Sequence, residues 1–119
     1  MYEPSTVHGK ILQEQYVKPS YLKFLEEYGK SVEEAGSTKV GMAYRWMAWN
    51  SALAAGKGGC IVLGASSARQ LKETCERTEQ GPLERWVVER LEEMWKEIEA
   101  DASGDNFAVY KKLLDAGLL

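Results

Sequence analysis

Apolar residues recur along most of this chain at spacings of three and four, so helices are expected over most of its length. Tyr21, Phe24, Leu25, Tyr28 and Val32 form the first stripe. Pro19 suits its first turn, where a missing N–H costs nothing, and Gly36 suits its C-cap. Ser37 or Thr38 can cap a second helix, with Val40, Ala43, Trp46, Met47 and Leu53 on its inward face. Residues 54–59, "AAGKGG", break that helix. They lack the Walker spacing and the Ser/Thr that would follow it, so they read as a plain connection. Cys60, Ile61, Val62 and Leu63 are continuously apolar, the pattern of a strand buried on both faces.

Ser67 and Gln70 then make an S-x-x-Q capping box for a helix running to about residue 79, stopped by Gly81-Pro82. The clearest stripe is Val87, Leu91, Met94 and Ile98, within residues 83–100 and flanked by Trp86 and Trp95. Asp105 or Asn106 can cap a last helix with Phe107, Tyr110, Leu113 and Leu114 inward. Residues 1–18 hold Pro4 and Gly9 without a clean period and read as an extended arm. The expectation is a single domain, mainly α with one short buried strand. Such a strand needs partners for its backbone. Pairing with another copy of the chain, as a homodimer or higher oligomer, would supply them.

Composition narrows the chemistry. The chain has 119 residues, 45% hydrophobic and 28% charged, with a net charge of -3, which fits a globular protein. Acidic and basic residues are interspersed, so neither a nucleic-acid nor a membrane footprint is expected. His8 is the only histidine, which argues against a His-rich metal site. Cys60 and Cys75 have no CxxC spacing and read as two buried free thiols, hence a reducing, cytoplasmic setting. Tyr44, Arg45, Trp46 and Trp49 form an aromatic cluster with one cation, able to line a pocket for a small apolar metabolite. The adjacent pairs Glu26–Glu27, Glu33–Glu34 and Glu92–Glu93 point in different directions on a helix and read as solvated.

Taken in order, "YRWMAWNSAL", "CIVLGASSARQLKET" and "ERTEQGPLERWVVERLEEMW" resemble the C-terminal part of aldo-keto reductases, nearest the aflatoxin-aldehyde-reductase group and its fungal relatives. The likeness reaches back through "YVKPSYLKFLE" and covers about residues 2–96, leaving 101–119 as an unmatched helical tail. It implies the end of an eight-stranded (β/α) barrel. A chain this short is then expected to hold a rearranged fragment rather than a closed barrel. The family's Asp, Tyr, Lys and His of carbonyl reduction have no counterpart here, so stand-alone NADPH-dependent reduction is not expected.

By the same resemblance, the turn after the last strand holds the 2′-phosphate end of NADP. Gly64, Ala65, Ser66 and Ser67 would line it, with Arg69 and Gln70 beside it. Free N–H groups and the positive end of a helix dipole favour an anion at such a corner. Two departures weaken it. Thr74 stands where the family has an adenine-reading Asn, and Gln13 and Gln15 stand where it has two Arg. No cofactor is therefore expected to bind tightly. The resulting expectation is a small-molecule-binding or accessory protein. The alternatives are a repurposed isomerase, cyclase or dehydratase of fungal-type secondary metabolism, and a fragment of an ordinary reductase.

Overall fold

Six α-helices and two short helical extensions make up the regular structure among the described residues, with no β-strand. The computed structural model describes residues 3, 5–54, 56, 58–102 and 104–118. In chain order these are α1 (Val7–Tyr16), α2 (Pro19–Glu34), α3 (Lys39–Arg45) with a π-helical turn at Trp46–Asn50, α4 (Ala68–Thr78), α5 (Arg85–Ile98) with a 3₁₀ turn at Glu99–Asp101, and α6 (Asn106–Asp115). They divide into two compact units. One comprises Met1–Glu27 with Met94–Leu119, and the other Tyr28–Glu93.

The unit Tyr28–Glu93 is built on Val32, Met42, Leu83 and Val87, against which Tyr28, Ala35, Trp86, Val88 and Leu91 pack. Met42 is wholly buried and Val87 nearly so; burying either side chain is worth about 1.5–3 kcal/mol. Gly36 lies at φ 61°, and the Ser37 N–H reaches the Val32 carbonyl at 3.0 Å. This left-handed stop ends α2 and turns the chain into α3. Thr38 caps α3 by accepting from the Gly41 N–H at 3.0 Å. A Cβ on Gly41 would come within 3.3 Å of the Arg77 side chain, so α3 meets α4 closely there.

The turn between α4 and α5 is held from the end of α3 and the π-helical turn. Arg45 donates to the carbonyls of Gly81 (2.8 Å) and Pro82 (2.7 Å). The Trp49 indole donates to the Thr78 carbonyl at 2.8 Å, and the Asn50 Oδ1 accepts from the Leu83 N–H at 3.0 Å. The π-helical turn widens the helix at the point where Trp49 and Asn50 are needed.

In the other unit α1 packs on α6. Gln15, itself buried, donates to Asn106, Glu14 pairs with Lys112, and the Lys10 ammonium reaches the Leu118 carbonyl at 2.6 Å. A Cβ on Gly9 would overlap the Glu3 carbonyl, so the start of α1 requires glycine. Val109 and Leu113 of α6 are buried, as are Met94 and Ile98 of α5.

Several expectations change. Residues 1–18 are not an extended arm, because α1 forms there, capped by Thr6 and matched to α6 by polar contacts that no apolar period announces. Cys60–Leu63 is not a buried strand. It is irregular, Val62 is 92% exposed, and no described residue pairs with its backbone. A strand requires an edge to pair with, and the described residues offer none. The inward residue of the second expected helix is Met42, while Val40, Trp46, Met47 and Leu53 are exposed. That helix is short and changes pitch at Trp46, so a uniform 3.6 period misplaces its face. In α6, Phe107, Tyr110 and Leu114 are exposed, and Val109 joins Leu113 inside. Cys60 is exposed and Cys75 only partly covered, so neither thiol is buried.

Met42→Ala should cost about 2–5 kcal/mol in urea unfolding, since a fully packed side chain is deleted. Val62→Ala, at an exposed position, should stay within about 0.5 kcal/mol.

Tyr28 gives a pH prediction. Its hydroxyl donates to the Lys39 carbonyl at 2.5 Å. Burial raises its pKa above the ordinary tyrosine value, partly opposed by the Ala43 backbone. The folded value lies above the unfolded one, so this contribution to stability is complete below about pH 10 and is lost as pH rises through the folded value. Tyr28→Phe should cost about 0.5–1.5 kcal/mol at pH 7. Urea titrations at rising pH should show that gap narrowing above about pH 10.

Candidate functional site

The turn that precedes α4 is formed by local polar chemistry. Ser67 is the N-cap, and its hydroxyl accepts from the Gln70 N–H at 3.1 Å. The Gln70 carboxamide oxygen reaches back past Ser67 to Ser66, accepting from its N–H at 2.7 Å and its hydroxyl at 2.9 Å. The capping box read from the sequence is thus present, but its return bond is shifted by one residue. The N–H groups of Ala68 and Arg69 have no partner among the described residues, as at the start of any helix.

Gly64, Ala65, Ser66, Ser67, Arg69 and Gln70 are therefore brought together as one corner, and all six are exposed. Arg69 leaves the corner to pair with Glu73 at 3.1 Å, with its side chain 88% exposed. Thr74, one turn further on, is buried, and its hydroxyl donates to the Gln70 carbonyl at 2.9 Å. Its side chain bonds its own helix instead of facing outward. Chemically, the corner offers two free N–H groups and a helix dipole. Both donors of Ser66 are already engaged by Gln70, the Ser67 hydroxyl accepts from the Gln70 N–H, and Arg69 is engaged by Glu73.

The aromatic cluster is put to a different use. Arg45 and Trp49 direct their polar atoms onto the turn between α4 and α5, as described above, while Tyr44 is partly covered. Trp46 and Trp49 remain 37% and 40% exposed, leaving ring surface open beside that anchorage. Asn50 completes the anchorage. Its only sequence signal was its place within "YRWMAWNSAL", which gives no indication of its partner Leu83.

Elsewhere, an open cleft of about 220 Å³ in the unit containing α1 and α6 is lined by Glu14, Lys18, Asp101, Asp105, Val109 and Lys112, among others. None of the expected site residues borders it. Several of its charged side chains already have partners: Glu14 pairs with Lys112, Lys18 donates to the Asp101 backbone carbonyl, and Asp105 caps α6. Among the described residues no group of three or more His, Cys, Asp or Glu side chains is placed to hold a metal ion. No helix among them is long and apolar enough to cross a membrane.

Comparison with known proteins places this geometry in context. No protein-family profile matches the chain. Oxidoreductase sirO of Leptosphaeria maculans is 39% identical over 101 residues, covering 85% of this chain and 31% of that protein. An aldo-keto reductase of Pseudocercospora fijiensis is 28% identical over 102 residues, 86% of this chain and 34% of the relative. Aflatoxin B1 aldehyde reductase member 2 of Mus musculus is 43% identical over 53 residues, 44% of this chain and 14% of the relative. The chain spans about a third of the length of the fungal relatives it matches. Over some 85% of its own length, then, this chain is aldo-keto-reductase-like, similar to a fungal oxidoreductase and a fungal aldo-keto reductase, and over 44% of it to an aflatoxin aldehyde reductase.

Proposed function

We propose that this chain is an aldo-keto-reductase-like accessory protein. It takes the phosphate-bearing end of an NADP-type nucleotide weakly at the corner of residues 64–70 and does not reduce carbonyls by itself. Its similarity to oxidoreductases supports the choice of ligand. The observation that carries the weakness is the internal occupancy of the corner: Gln70 holds both donors of Ser66, and Glu73 holds Arg69. A phosphate arriving at the Ala68 and Arg69 N–H groups must compete with both. What remains is a shallow, water-exposed anion contact, where each charge-assisted bond is screened. Hydride transfer further requires a held nicotinamide and a placed proton donor. The corner supplies neither.

Calorimetric titration with 2′-phospho-AMP should give a dissociation constant of about 1 mM, some −4 kcal/mol, weakened by Arg69→Ala. Micromolar binding untouched by Arg69→Ala would show that the nucleotide sits elsewhere. NADPH oxidation with a panel of aldehydes and quinones should not exceed a heat-inactivated control. Turnover above that control contradicts the second half of the proposal.

A further inference from the structure

No further inference is drawn: the strongest candidate, the outward stripe of Phe107, Tyr110 and Leu114 along α6, is an exposed apolar face, and nothing in the structure shows what covers it.

Discussion

The end of α4 and the reversal into α5 leave backbone groups at residues 78–83 without a partner inside a helix, and the unit Tyr28–Glu93 depends on their being satisfied. Arg45, Trp49 and Asn50 meet that need with four hydrogen bonds of 2.7–3.0 Å. Bonds from a charged guanidinium to carbonyls are among the stronger ones, worth about 1.5–3 kcal/mol each. They also explain the local geometry. A seven-residue α3 is too short to persist alone, and it is fixed by what Met42 buries and what Arg45 grips.

That anchorage orders the C-terminal end of α4 and leaves the N-terminal end to itself. The corner at residues 64–70 is consequently a surface feature shaped by short-range bonds, with Gln70 folded over Ser66. The kinship with aldo-keto reductases is clear in sequence, yet the matched region is about a third of the fungal relatives. In this chain Ser66, Ser67 and Gln70 form a helix cap. The proposed nucleotide contact competes with that cap.

How far the sequence revealed this depended on range. Where one element carries its own signal, the reading and the structure agree: Thr38, Ser67 and Asp105 cap their helices, and Val87, Met94 and Ile98 face inward. Where the deciding contact comes from a distant residue, the pattern was silent. α1 depends on Asn106 and Lys112, some ninety residues away, and has no apolar stripe of its own. A uniform period running through Trp46 and Met47 favours Val40 over Met42, whereas α3 gives way to a π-helical turn at Trp46–Asn50. The apolar run at Cys60 has the pattern of a buried strand, but a strand forms only beside an edge, and the described residues offer none. At the corner, residue identities named the donors, while the side-chain torsions of Gln70 and Arg69 decide their availability.

The most direct test of this account is amide hydrogen exchange at Leu83, followed by NMR. The amide lies outside every helix, and its partner is the Asn50 Oδ1. It should be strongly protected in the parent chain and in Asn50→Asp, which keeps the acceptor. Protection should be lost in Asn50→Ala while the amides of α5 stay protected. A Leu83 amide exchanging at the rate of an unstructured chain, or unaffected by Asn50→Ala, would contradict the account.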